Sequence, residues 1–322
     1  MSNLFIIGNG FDLAHGLPTS YKDFYKYLIR TYPNSQNINL SFNFKKNENN
    51  EYDKDEVVAF LIDVISAVEK DRENWCDIEN SLGHLNFDTY FKDAYHSIVK
   101  DIRGEHPIND ISFLDQFGDK SEDICWDFFS VTEKIKKLFS EWINTVDISD
   151  VSPLSSFINL LDPYEDIFLT FNYTTVLEDI YGATDVQHIH GIQNGEIIMG
   201  HGVEKEEFQS AYFPSHTLLM MHHSLQKETE EILTNHLYPF FDNLVENFEE
   251  NSFENDIFIE RIYTYGFSYS KVDLPYIKGI CLSIDTSNIT WYLHTYHSDM
   301  TRKKFEEIIK ECGFKGRFDT FS

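Results

Sequence analysis

Near its start the chain reads Leu4-Phe5-Ile6-Ile7-Gly8-Asn9-Gly10. Four large apolar residues in a row are typical of a strand that is buried on both faces, as in a parallel sheet. The glycines end this strand and allow a sharp turn of the backbone. Later apolar runs predict further strands at residues 166–172, 186–190, 257–266 and 289–296. Because helical patterns separate these strands, the sequence predicts an α/β fold with a Rossmann-like parallel sheet.

Two stretches between the strands have helical periodicity and interrupt this alternation. The first is a polar loop that leads into several amphipathic segments, and the second includes a helical pattern over residues 217–249. We therefore expect one α/β domain over residues 1–322. It carries a helical insertion at 34–145 and a smaller, mainly helical insertion at 201–249.

Charge and cysteine content exclude several classes of protein. The 322 residues include 54 acidic and 26 basic side chains, and the resulting net charge of −28 repels phosphate backbones, so we expect no nucleic-acid partner. The four cysteines have no C-x-x-C spacing, which argues against a zinc ribbon and a disulfide framework. The sequence lacks a signal-peptide pattern and an apolar stretch of about 18 residues, so we expect a cytoplasmic protein without a membrane segment.

The first candidate site follows the first strand at Gly8-Asn9-Gly10-Phe11-Asp12. Glycines at this position let a phosphate approach the backbone, and free N–H groups at the start of the next helix would bind it. The motif is not G-x-G-x-x-G, since Leu13 stands at the last position. The alternative is a tight turn between strand and loop.

Asn172 is the second candidate, because it follows the predicted strand at 166–172. Its amide offers one acceptor and two donor positions for a water molecule or a sugar hydroxyl. Asn is also a preferred N-cap residue, so capping of the following helix is an equal alternative.

Histidines form the third candidate, at His188 and His190 directly before Gly191. Two residues apart, they are predicted to lie on the same face of a strand. Either could act as a general base near neutral pH. A metal site that includes His201, His222 or His223 is disfavoured because no nearby carboxylate or cysteine set completes it, so we expect no metal. The remaining alternative is a half-buried structural histidine.

The fourth candidate is Gly266-Phe267-Ser268-Tyr269-Ser270, at the end of another predicted strand. Gly266 and Ser268 could hold a ribose or a phosphate, and the alternative is that Ser268 or Ser270 caps the next helix. All four candidates follow strands of one predicted sheet, so they would lie at its carboxyl edge. A single nucleotide-binding crevice would account for them together.

The motifs resemble those of the AbiH family of bacterial phage abortive-infection proteins, which implies a role in phage defence. The resemblance covers about residues 5–296, and Phe267 stands where the family more often has His. It rests on these elements in order: Ile6 to Asp12, Gly16 to Tyr21, Trp75 and Glu79, Phe171 to Thr174, Leu177 and Glu178, Ile189 to Gly191, and Gly266 to Ser268 ahead of Asp273.

A more distant similarity is to sirtuin-like domains that cleave NAD. It implies a sirtuin-like fold, NAD as substrate or ligand, and Asn172 and His190 as catalytic residues. Together with the first candidate motif, the resemblance predicts NAD-binding positions at Gly8, Asn9, Gly10, Phe11, Asp12, Leu17, Pro18, Gly266 and Ser268. The chain departs from the sirtuin pattern at Phe171 and Thr174, where sirtuins have Gln and Asp, and it lacks the zinc cysteines.

These features support a phage-defence protein that hydrolyses the nicotinamide–ribose bond of NAD. In this hypothesis Gly8, Asn9 and Gly10 hold the pyrophosphate, Asn172 orients the water and the ribose, and His190 is the base. The alternative is a nucleotide-binding sensor without catalysis of its own. A metal-dependent nuclease that uses His188, His190 and His201 is the least favoured function. Partners to consider are a second copy of the chain and a phage-derived trigger.

Overall fold

The computed structural model describes residues 2–38, 46–48, 51–68, 78–103, 110–210, 212–242 and 259–322. The chain forms two compact units. The first comprises residues 1–20, 143–198 and 228–322, and the second comprises 21–142 and 199–227. Much of the two predicted insertions falls in the second unit.

The first unit is built on six strands that pair in parallel. They are β1 (Ser2–Ile7), β2 (Ile167–Thr170), β3 (Asp185–His188), β4 (Ile259–Tyr265), β5 (Thr290–His294) and β6 (Arg317–Phe321). Their order, β3-β2-β1-β4-β5-β6, is that of a Rossmann fold. The predicted α/β class with a Rossmann-like parallel sheet is therefore confirmed. Residues 257 and 258 of the predicted fourth strand lie outside the described residues.

Both faces of the sheet are buried at its centre, as the apolar run in β1 predicts. Leu4 and Ile6 point into one core cluster. Phe5 and Ile7 point into another. Because successive side chains of a strand point to opposite faces, a strand covered on both sides needs apolar residues at every position. The register places the last residues of the four strands β1 to β4 at the same carboxyl edge: Ile7, Thr170, His188 and Tyr265.

Short helices follow most strands of the first unit. They are α1 (Gly10–Ala14), α7 (Ser155–Ile158), α8 (Val176–Tyr181), α10 (Thr229–Ile232), α11 (Leu274–Ser283) and α12 (Asp299–Glu311), with a 3-10 turn at Thr286–Asn288 and a π-helical turn at Leu233–Leu237. The helical patterns predicted to follow the strands are confirmed after β2, β4 and β5.

The sequence analysis did not predict the edge strand β6. Its sequence, Arg-Phe-Asp-Thr-Phe, has only two large apolar residues, Phe318 and Phe321. Phe318 packs on one core cluster and Phe321 on the other. An edge strand is exposed to solvent along one side and needs few apolar residues, so its local signal is weak.

Helices dominate the second unit. They are α2 (Tyr21–Thr31), α3 (Lys54–Val68), α4 (Ile78–Gly83), α5 (Phe87–Arg103), α6 (Ile111–Ile143) and α9 (Ser215–Ser224), with a 3-10 turn at Pro33–Asn37. The predicted helical segments are confirmed in the described residues, although α6 begins ten residues before the amphipathic pattern at 121–145 that predicts it. Trp75 lies outside the described residues.

The predicted helix at 217–249 is wrong as a continuous element. Helix α9 ends at Ser224, and α10 begins at Thr229. Between them the backbone forms a bridge in which His201 N–H donates to Leu225 O and Lys227 N–H donates to His201 O. Leu225 and Lys227 therefore pair with His201 as in a β-bridge and do not continue helix α9. Residues 243–249 lie outside the described part of the chain.

Candidate active site

Three glycines join the turns that follow β1 and β4. The Gly10 N–H donates to Gly266 O across 2.9 Å. A Cβ added at Gly8 would lie 2.7 Å from Gly266 O, and one added at Gly10 would lie 2.6 Å from Gly266 Cα. Gly266 has a φ of +66°, which L side chains rarely adopt. This close packing of backbone against backbone occurs where the strand order reverses, the point at which Rossmann folds bind ligands.

The prediction of free N–H groups at the first turn is wrong for three residues. Gly8 N–H donates to Tyr265 O, Gly10 N–H to Gly266 O, and Phe11 N–H to Gly8 O. These N–H groups already have acceptors within the protein, because the chain after β1 lies close enough to the end of β4 for the two to pair. Phosphate binding by this turn therefore stays a prediction that would require other groups.

The other positions assigned to NAD differ in their surroundings. Asn9 exchanges two side-chain hydrogen bonds with Thr19, one to its carbonyl and one from its hydroxyl, and this closes the loop. Phe11 and Leu17 fill the core, so a ligand contact there would have to come from the backbone. Pro18 and Ser268 are exposed at the surface.

Asp12 is a buried carboxylate between two donors from the β2 side of the sheet. Asn172 Nδ2 donates to Asp12 Oδ1 and Thr174 Oγ1 donates to Asp12 Oδ2, each across 2.8 Å. Burial raises the pKa of Asp12 to about 6, against the opposing effect of these hydrogen bonds and of His188. The carboxyl therefore changes its charge close to neutral pH.

Asn172 is held at three of its four polar groups. Its N–H donates to Thr170 Oγ1 across 3.1 Å, its carbonyl oxygen lies 2.9 Å from His188 Nδ1, and its amide nitrogen donates to Asp12. The remaining group, Oδ1, is buried without a hydrogen-bond partner. The alternative of an N-cap is wrong, since Thr175 precedes the first residue of α8.

His188 and His190 do not share a strand face as predicted. Strand β3 ends at His188, whose ring lies between Asn172 O and Glu178 Oε1. His190 lies beyond the strand, and its ring packs against Phe171 and Tyr276 at centroid distances of 5.3 and 5.7 Å. The chain leaves the sheet between the two histidines, so the alternation of side chains along a strand no longer applies.

His190 is buried beside a carboxylate that comes from the start of α11. Its Nε2 lies 3.6 Å from Asp273 Oδ1, and Ser270 Oγ donates to Asp273 Oδ2 across 2.9 Å. Asp273 precedes the first residue of α11, so neither Ser268 nor Ser270 is the cap residue of that helix. A carboxylate next to imidazole orients the ring and stabilises its charged form, as a general base requires.

Sequence reasoning named Asn172, Asp12 and His190 but missed how other residues contribute. Thr174 was taken as a departure from an enzyme pattern, yet its hydroxyl holds Asp12. Glu178 and Asp273 were noted only as parts of family motifs, and each lies against a histidine. No local pattern marks these pairs, because Glu178 and His188 are ten residues apart and Asp273 and His190 are separated by a longer stretch of the chain.

The described residues contain neither a cluster of metal-binding side chains nor a helix that could span a membrane. There, no three His, Cys, Asp or Glu side chains come together as a metal site would need. In the same ranges, no helix combines the length and the apolar character that crossing a membrane requires.

Comparison with known proteins gives one match. No curated protein and no solved structure matches the chain. The family described as bacteriophage abortive infection AbiH matches over residues 4–295, which include β1 from Leu4 onward, β2 to β5 and all the candidate residues. The match supports a role in abortive infection of phage, and the chain belongs to the AbiH family.

Proposed function

We propose that this chain serves abortive infection by hydrolysing the nicotinamide–ribose bond of NAD. Three features support the proposal: the Rossmann order of the sheet, the polar side chains at its carboxyl edge, and the family's role in phage defence. The similarity to NAD-cleaving sirtuin-like domains supplies the choice of NAD among nucleotides.

The observation that carries the proposal is the unpartnered amide oxygen of Asn172. A buried acceptor without a donor costs about 1–3 kcal/mol, so a site that keeps one is expected to bind a donor. Since Asp12 holds the amide nitrogen, the oxygen cannot exchange places with it. A water molecule or a ribose hydroxyl has the donor that this oxygen lacks.

Asp12 and His190 have complementary roles in the proposed reaction. The water oxygen bonds to the anomeric carbon, the carbon–nitrogen bond breaks, nicotinamide leaves with the electron pair, and His190 accepts the proton of the water. The ribose carries positive charge in the transition state, which an ionised Asp12 would stabilise. Because its pKa is about 6, Asp12 is mostly ionised at neutral pH.

A nucleotide sensor without catalysis is the second candidate, and Phe171 favours it. Its ring is buried against Phe267 at 4.7 Å and against His190 at 5.3 Å. Sirtuins have a polar Gln at this position, whereas here an apolar ring packs against His190. A sensor of this kind would bind NAD and release no nicotinamide.

Purified protein incubated with NAD, with nicotinamide release as the readout, tests the proposal. We expect release by the wild type and a loss of at least about 100-fold in Asn172→Ala and His190→Ala, the usual scale for a general base. Asn3→Ala is a matched control, because Asn3 Nδ2 donates to Asp166 at the opposite end of the same two strands. Release by Asn172→Ala at the wild-type rate would refute the proposal. An NAD-dependent rise in melting temperature without release would establish the sensor.

A further inference from the structure

His188 bridges the main chain of Asn172 and the carboxylate of Glu178. Its Nδ1 lies 2.9 Å from Asn172 O, and its Nε2 lies 2.7 Å from Glu178 Oε1. The His188 side chain is nearly buried, and Glu178 Oε2 is buried without a hydrogen-bond partner. The hydrogen bond to His188 therefore offsets part of the cost of burying the charge of Glu178.

With Glu178 ionised, the two contacts determine which ring nitrogens of His188 carry hydrogens. A backbone carbonyl only accepts, so His188 Nδ1 carries a hydrogen. An ionised carboxylate also only accepts, so Nε2 carries a second hydrogen. The ring is then an imidazolium, and the pair consists of one positive and one negative charge in a short, charge-assisted hydrogen bond.

His15 shows the opposite case in the same unit. Its Nδ1 lies 2.7 Å from Phe11 O and therefore also carries a hydrogen. Its Nε2, however, lies 2.7 Å from the Tyr181 hydroxyl, which can donate, and the Leu154 N–H donates to that hydroxyl in turn. A neutral ring satisfies every contact of His15, and burial lowers the pKa of this histidine.

We infer that His188, as an imidazolium paired with Glu178, is a positioning residue that holds Asn172 in place for its ligand. The part of this inference that concerns activity rests on the proposed function. Asn172 has its N–H, carbonyl and amide nitrogen bound to Thr170, His188 and Asp12, which leaves Oδ1 for the ligand. Of these three partners, His188 alone carries a positive charge.

Loss of the imidazolium proton would break this arrangement. The lone pair of Nε2 would then face the lone pairs of Glu178 Oε1 at 2.7 Å, so the ring would lose Glu178 as an anchor. Glu178 from α8 and Asp12 from α1 both interact with His188, and the negative charge of each favours the imidazolium. Without Glu178 as an anchor the ring holds Asn172 O less firmly.

Nitrogen-15 NMR of labelled histidine in the full chain tests the protonation state directly. At neutral pH we expect hydrogens on both ring nitrogens of His188, with His15 as the internal example of a neutral ring, and His188→Gln assigns the signals. In Glu178→Gln the amide can donate to Nε2, so His188 should become neutral without losing the contact. A neutral His188 in the wild type, or a ring unchanged by Glu178→Gln, would overturn the inference.

The pH profile of nicotinamide release tests the positioning role. Release by the wild type should fall at the alkaline pH where the imidazolium signal is lost, and Glu178→Gln should lack this fall. Glu178→Ala should lose about tenfold, the scale of partners that orient a functional residue. Asp179→Asn, one residue further along α8 and exposed, is the matched control. An alkaline fall that persists in Glu178→Gln would contradict the role. Absence of release from the wild type and from every variant would refute the proposed function. The NMR experiment would still determine the protonation state of His188 beside Glu178.

Discussion

The side-chain amide of Asn172 donates to Asp12 across 2.8 Å, although 160 residues separate the two in the sequence. Both residues follow strands that pair in parallel, β1 and β2, and both are buried. The contact turns two short motifs into one site. It also determines which end of the amide faces a ligand, because the nitrogen is committed to the carboxylate.

Replacing Asp12 by Asn should stabilise the protein at neutral pH. Burial raises the pKa of Asp12 from 3.8 to about 6 in the folded state. The folded protein therefore binds the proton more tightly, and the stability of the protonated form is lost as the pH rises from about 3.8 through 6. Asn keeps both contacts, with its amide nitrogen donating to Thr174, and has no charge to bury. We expect a gain of up to about 3 kcal/mol above pH 6 and almost none below pH 4.

Urea unfolding of the wild type and Asp12→Asn at both pH values measures this difference. Asp185→Asn, at an exposed residue of β3, is the control and should change little. Nicotinamide release should fall in Asp12→Asn although the variant is more stable, a trade-off common at functional sites. If the free energy of unfolding depends on pH equally in the two proteins, ionisation of Asp12 does not destabilise the folded state.

Gly266→Ala should be strongly destabilising. Its φ is +66°, and an added Cβ would lie 2.3 Å from Phe11 N, which is backbone and cannot move aside alone. The loss should exceed about 4 kcal/mol, the range of severe single substitutions. Gly16→Ala is the matched control: its φ is +78°, and an added Cβ would meet nothing within 4 Å. Only the conformational cost of about 1–2 kcal/mol is expected there. Melting temperatures of both variants provide the comparison, and similar losses would show that the packing of the three glycines has little energetic weight.

Lys227→Met should destabilise the second unit. Lys227 Nζ lies 2.7 Å from Glu79 Oε1, and the lysine side chain is fully buried. Without the lysine, Glu79 keeps a buried negative charge with the Gly200 N–H as a remaining donor. Breaking such a pair costs about 3–5 kcal/mol. Thermal unfolding of the wild type, Lys227→Met, Glu79→Gln and the double variant forms a double-mutant cycle. The double variant should be more stable than Lys227→Met, because it has no unpaired buried charge. Additive losses would mean that the two charges do not interact.

Acid should weaken the second unit through His201 and His222. Burial lowers the pKa of both histidines from 6.5 to about 4 in the folded state. The unfolded chain binds these protons more tightly, so the stability present above pH 6.5 is lost as the pH falls towards 4. His201 has a structural reason to stay neutral, since its Nδ1 accepts from Val203 N–H and its Nε2 donates to His222 O.

The variant His222→Phe keeps a ring beside His201 and removes one titrating group. We expect its melting temperature to fall less steeply between pH 6.5 and 4 than that of the wild type. His223→Phe, at the exposed neighbouring position, is the control. If the slopes of the wild type and His222→Phe coincide, His222 is not the group that takes up protons.

Local sequence was sufficient for the central strands and for most helices. The run Leu4 to Ile7 can only be buried on both faces, so it predicts the middle of a parallel sheet. The same reasoning missed β6, whose pattern is short and polar. It also joined α9 and α10 into one helix, because helical periodicity does not reveal that Leu225 and Lys227 pair with His201.

The sequence by itself determined the α/β class, the turns at Gly8 and Gly266, and the residue types at the carboxyl edge. Only the tertiary structure decided that Asn172 faces Asp12 and that His188 lies against Glu178. It also decided that the N–H groups of Gly8 and Gly10 are engaged by the turn after β4. The physical reason is that strands and turns follow from neighbours along the chain, whereas hydrogen-bond partners and desolvation depend on neighbours in space, which for Asn172 and Asp12 are 160 residues apart in the sequence.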